Sequence, residues 1–108
     1  MRIVAKRHTN DYNIGMKVFF WNDNKNAFLN DKRQICFEDI LICIEAGYLL
    51  DILEHPNQEK YKGQKIFVVQ VKEYVYLVPF VENDREIFLK TIIPSRKATR
   101  KYLKGGKS

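Results

Sequence analysis

The chain has 108 residues, enough for one domain with a real core and too few for a second folding unit, so a single active surface is expected. Its hydrophobic fraction of 45% and aromatic fraction of 13% are those of a globular protein and argue against intrinsic disorder. Lys and Arg outnumber Asp and Glu by 19 to 13, and the net charge of +6 comes from the second half of the chain. From Lys90 onward, Lys90, Arg96, Lys97, Arg100, Lys101, Lys104 and Lys107 meet no acidic residue, a footprint suited to a polyanion such as nucleic acid.

In chain order, Met1 to Met16 is mixed and polar and is expected to be an arm carrying no chemistry, with the folded domain running from Lys17 to Leu103. Lys17 to Trp21 reads as a short strand of aromatic and β-branched residues, stopped by Asn22-Asp23-Asn24. Asn22 or Asp23 can cap a helix reaching about Asp31, anchored by Phe28 and Leu29. Cys36 to Ala46 is the clearest helix, since Phe37, Ile40, Leu41 and Ile44 follow the i, i+3, i+4, i+7 stripe. Gly47 ends it by taking up a left-handed backbone at little cost.

Tyr48 to Leu53 is a candidate strand, followed by a polar loop, Glu54 to Gly63, that forms a plausible functional rim. Three strands follow, Lys65 to Val71, Tyr74 to Val81 and Ile87 to Ile93, and their short polar connections predict an antiparallel meander. Pro79 cannot donate to a ladder and is expected at an edge or a bulge. Pro94 and Ser95 stop the last strand, and Ser95 is placed to cap a helical turn carrying Arg96 to Leu103; Lys104 to Ser108 read as a flexible tail. Helices followed by strands argue an α+β fold: one strand and two helices packed on a curved antiparallel sheet of three to four strands, crossed by a basic C-terminal segment.

Cys36 and Cys43, seven apart, fit buried small hydrophobes of a reduced protein and match no zinc-ligand spacing. A glycine-rich phosphate loop, an HExxH pair and a nucleophile elbow are absent, so neither metal nor cofactor is expected. Without an apolar run of about 18 to 20 residues or a signal-peptide pattern, the expected location is the cytoplasm, with no membrane partner.

Two motifs at opposite ends resemble one family. Phe20-Trp21-Asn22-Asp23, Lys25-Asn26, Leu29, Arg33 and Ile35 to Asp39 resemble the opening of the BrnT toxins, and Ile92-Ile93-Pro94-Ser95-Arg96-Lys97-Ala98-Thr99-Arg100 resembles their close. The stretch from Glu54 to Val81 matches less well, and Lys32-Arg33-Gln34 stands where many members carry Lys-His-Gly, so no role of that histidine transfers. The resemblance implies a RelE-like fold, a metal-independent endoribonuclease that blocks translation, and a cognate antitoxin that covers the basic surface and often binds DNA.

Cleavage of RNA without a metal needs a group to take the proton of the attacking 2′-OH, a cation on the phosphorane oxygens, and a donor for the leaving 5′-oxygen. Arg96 is the first choice for the cation, because its planar fork grips two phosphate oxygens and it follows a strand end; Lys97 stands beside it. Lys25 matches the family as a second phosphate cation or a base, His55 carries an imidazole, the side chain most often used as acid or base, and Glu54 would orient it or act as base. Lys90, Arg100, Lys101, Arg33 and Tyr61 are the candidate RNA contacts, Tyr61 by stacking and Lys90 by projecting from the sheet with Phe88 and Ile92. Tyr74 and Tyr76 read as half-buried sheet residues and Trp21 as core. The competing reading is a non-catalytic RNA- or ribosome-binding module using the same face.

Overall fold

In the computed structural model the described residues are the backbone of Arg2–Val4 and residues 17 to 104, Lys104 through its backbone alone. The rest of the expected arm and the tail after Lys104 lie outside the described residues. The order is β1 (Arg2–Val4), β2 (Val18–Trp21), α1 (Asp23–Arg33), α2 (Phe37–Glu45), β3 (Leu49–Glu54), β4 (Lys65–Val71), β5 (Tyr74–Glu82), β6 (Glu86–Leu89), β7 (Ile93–Pro94), α3 (Arg96–Thr99) and a π-helical turn, Arg100–Lys104. The fold is α+β, but its sheet is larger than expected and mixed. The strands run β1-β2-β6-β5-β4-β3 with β7 also on β5, and β2 lies parallel to β6. Short connections fixed the antiparallel pairs correctly; the parallel pair joins strands separated by the rest of the fold, which no local signal records. Arg2–Val4, expected in a chemically silent arm, pairs with β2.

Helix starts follow side-chain capping. The Asn22 side chain accepts from the Lys25 amide at 2.9 Å, and α1 then runs to Arg33, two residues beyond the expected end. Asn26 of α1 accepts from the Phe37 amide at 2.7 Å, so one helix caps the next. Cys36 sits at the N-cap of α2 and not inside it, its own amide donating to Asp39 Oδ2 at 3.1 Å. Gly47, with φ of 97°, takes the left-handed position expected of it.

Both helices cover one face of the sheet. There Trp21, Phe37, Ile40, Leu41 and Ile44 pack with Phe19, Phe67, Val69, Val78, Phe80, Ile87 and Leu89 in the main core. The Trp21 and Phe37 rings stack at 5.4 Å, which bears out the core reading of Trp21. Leu29 is buried, but Phe28 is 50% exposed and does not anchor α1. The opposite face holds a smaller cluster, in which Ala98, Tyr102 and Leu103 of the C-terminal segment lie on Val68, Val75, Leu50 and Leu77.

Two one-residue irregularities decide which side chains reach which face, because a shift of one reverses the alternation along a strand. In β3 the register moves between Leu49 and Asp51, so Leu50 joins the outer cluster while Leu49 and Ile52 stay on the helix side. Along β5 the partner run also slips, from Leu89 opposite Phe80 to Ile93 opposite Leu77, and Pro79 lies in the interval. The Pro79 carbonyl accepts from the Lys90 amide at 2.8 Å, and the ring offers nothing in return. Pro79 thus marks a bulge, as expected. The expected single strand Ile87 to Ile93 is in consequence broken into β6 and β7, and Ile92 turns into the main core instead of standing beside Phe88 and Lys90.

At the far end of the sheet Glu82 accepts from Lys17 at 2.7 Å and Lys65 at 3.1 Å, tying β5 to the starts of β2 and β4. Burial alone would raise its pKa, but the two ammonium groups outweigh that and hold it below the ordinary 4.5. A depressed carboxylate contributes stability above its unfolded pKa and loses it as pH falls through the folded one. Glu82→Gln is therefore expected to lower the unfolding free energy by up to about 1 kcal/mol at pH 7. Urea titrations should show the difference from wild type closing as the pH is taken below 4.5.

Candidate nucleic-acid interface

The basic C-terminal segment is locked to the sheet by a few polar contacts around one residue of β5. The Ser95 amide donates to the Val75 carbonyl at 3.0 Å, and the Val75 amide donates to Thr99 Oγ1 at 2.8 Å. Thr99 Oγ1 in turn donates to the Ser95 carbonyl at 2.8 Å, and Ser95 Oγ accepts from the Ala98 amide at 3.0 Å, the capping expected of it. Further along, the Tyr102 hydroxyl donates to Asp51 Oδ2 at 2.9 Å. Burial and the neighbouring Asp51 carboxylate push the Tyr102 phenol up, so it stays a hydrogen-bond donor at neutral pH.

With Ala98 and Thr99 buried, the intervening cations are turned outward: Arg96, Lys97, Arg100 and Lys101 are all exposed. Lys101 lies 5.3 Å over the Tyr102 ring. Lys90 is exposed as well, with its ammonium 5.8 Å from the Phe88 ring centre. Strand alternation from the buried Ile87 and Leu89 puts Phe88 and Lys90 on the same outer face as the C-terminal segment. Five of the candidate residues therefore share one side of the molecule.

The remaining candidates lie elsewhere. Lys25 and Arg33 belong to α1, in the helical layer over the other face; Lys25 sits 5.7 Å over Phe28. The Arg33 guanidinium donates to the Ile92 carbonyl at 2.7 Å, a contact that binds α1 to the bulged segment and not a free phosphate fork. His55, Tyr61 and Glu54 sit at the β3–β4 loop. His55 Nδ1 accepts from the Asn57 amide at 3.0 Å and its ring meets that of Tyr61 at 4.2 Å, so the imidazole organises its own loop. The His55 amide donates to Gln64, next to Lys65 opposite Phe80, whereas Ser95 is bonded to Val75. Five residues of extended strand separate those positions, roughly 17 Å at about 3.4 Å per residue. His55 and Glu54 are not assembled with Arg96 on one phosphate, nor is Lys25.

Tyr74 and Tyr76 line, with Ile42, Cys43 and Val71, a groove of about 620 Å³ between α2 and the β4–β5 hairpin, on the helix side. Cys36 and Cys43 are half-buried and not fully enclosed; burial pushes the Cys36 thiol up to about 11, so it is protonated and a poor nucleophile at neutral pH. Among the described residues, no three His, Cys, Asp or Glu side chains converge as metal ligands would, and no helix is long and apolar enough to cross a membrane. Residues the sequence did not single out are Thr99, Asp51 and Tyr102, which hold the C-terminal segment to the sheet. Thr99 lay within the BrnT-like motif, but nothing local marks it as the partner of Val75.

Comparison of the chain with family models, curated proteins and solved structures finds no match.

Thr99→Val keeps the shape of the side chain and strands the Val75 amide without an acceptor. It is expected to cost about 1–3 kcal/mol in urea unfolding, the penalty for a buried unsatisfied donor.

Proposed function

We propose that this chain is an RNA-cleaving toxin of a toxin–antitoxin pair: a metal-independent endoribonuclease that uses its basic outer face to inhibit translation. The observation that carries the reading is the display of Arg96, Lys97, Arg100 and Lys101 on a segment fixed to the sheet through Val75. Cations held in place by a rigid scaffold stabilise growing phosphate charge without reorganising during reaction. In the step itself the 2′-oxygen bonds to phosphorus and the P–O5′ bond breaks. The products are a 2′,3′-cyclic phosphate and a 5′-hydroxyl, the latter taking up the proton the 2′-OH gives away. Arg96, with Lys97, is assigned to the non-bridging oxygens; with His55, Glu54 and Lys25 away from that phosphate, solvent water takes the 2′-OH proton and returns one to the 5′-oxygen in this scheme. The partner is a cognate antitoxin that covers the same cations with acidic or hydrogen-bonding groups, and the RNA is met free or on the ribosome.

A non-catalytic RNA-binding module is the second reading, and the separation of His55 from Arg96 favours it, since the obvious imidazole is too far away to serve as acid or base. The two differ in what Arg96→Ala removes. For a ribonuclease, induced expression should arrest growth and give new 5′ ends by primer extension. Arg96→Ala should abolish both, lowering cleavage by on the order of 100-fold while RNA binding falls much less. Equal losses of binding and cleavage, or well-folded protein that binds RNA and never cuts it, favour the binding module.

A further inference from the structure

We propose that the half of the sheet's outer face left open among the described residues is a stacking platform for unpaired bases of single-stranded RNA, built from Phe20 and Phe88, with Lys90 holding the adjoining phosphate. The inference rests on the RNA-directed reading above and names the part of the substrate that this face grips.

The register places the residues. Phe20 of β2 lies opposite Phe88 of β6, and Phe88 lies opposite Val81 of β5, so the three stand in one row across adjacent strands about 4.8 Å apart. Their neighbours Phe19, Ile87, Leu89 and Phe80 are buried in the main core, which turns this row to the outer side. The C-terminal segment covers the other half of that side, over Val68, Val75 and Leu77. The row itself is half-buried and borders a depression of about 340 Å³. Two phenyl groups on neighbouring strands of an open sheet give flat faces on which bases stack regardless of sequence.

The charges at the rim favour a polynucleotide over an apolar partner. Lys90, two residues beyond Phe88 on the same face, has its ammonium over the Phe88 ring at 5.8 Å, and a base stacking there would displace it toward the adjoining phosphate. The cations of α3 extend the same field across the covered half. Two carboxylates also line the depression. Glu82 is occupied by Lys17 and Lys65, and Glu86 accepts from the Asn83 side chain at 3.1 Å, leaving acceptor capacity for the N–H groups of a base edge.

The test is fluorescence anisotropy of the full chain with a labelled single-stranded RNA of mixed sequence and with an abasic oligomer of equal length and charge. Phe20→Leu and Phe88→Leu keep the apolar volume and should each weaken RNA binding about tenfold, with little change on the abasic oligomer; Phe88→Tyr should retain wild-type affinity. Arg96→Ala should weaken both ligands alike. Wild-type affinity for RNA in both leucine variants overturns the platform and leaves the RNA-directed reading standing. Failure of the folded wild-type chain to bind any RNA overturns both. If the leucine substitutions instead change sedimentation while RNA binding holds, the face is a contact between protein chains and the inference fails.

Discussion

Much of the architecture depends on one missing hydrogen-bond donor in the middle of β5. Pro79 accepts from the Lys90 amide and returns nothing, so the partner run slips by one residue before it meets the strand again at Leu77 and Tyr76. That slip sends Ile92 into the core, leaves Lys90 outside, and brings the chain back where Ser95 reaches Val75. Once Ser95 is there, its cap and the Thr99 hydroxyl hold a four-residue helix too short to be stable alone. The exposed cations of the C-terminal segment owe the placement of their backbone to this chain of constraints.

The same device appears in β3, where the shifted register at Leu50 keeps one side of the strand in the main core and brings Asp51 within reach of Tyr102. Both irregularities serve the outer face. One delivers the basic segment to it and the other fastens the far end of that segment. Among the described residues the two sides of the sheet are accordingly unequal, one filled by two helices and the main core, the other half covered by a short basic segment and half open.

This inequality separates charges tied to the fold from charges left exposed. Lys17, Lys65 and Arg33 spend their charge on the protein itself, on Glu82 and on the Ile92 carbonyl. Arg96, Lys97, Arg100 and Lys101 stand exposed above a layer of Ala98, Thr99, Tyr102 and Leu103. A cation already committed to an internal carbonyl gains less from a phosphate than one with its hydrogen bonds to spare. The distinction assigns Arg33 to the fold, although its sequence context gave it to RNA.

The amino-acid sequence by itself determined what depends on neighbours along the chain. It set the α2 stripe of Phe37, Ile40, Leu41 and Ile44, a helix cap at Asn22-Asp23 and another at Ser95, the left-handed Gly47, the span of β4 and the concentration of positive charge after Lys90. Only the tertiary structure decided the parallel pairing of β2 with β6, the place of Arg2–Val4 in the sheet, and the separation of His55 from Arg96. Such contacts join residues far apart in the chain, and side-chain type and spacing carry no record of which distant backbone groups will meet. A register slip of one residue, invisible in composition, was enough to set Ile92 apart from Phe88 and Lys90, because strand side chains alternate with a period of two.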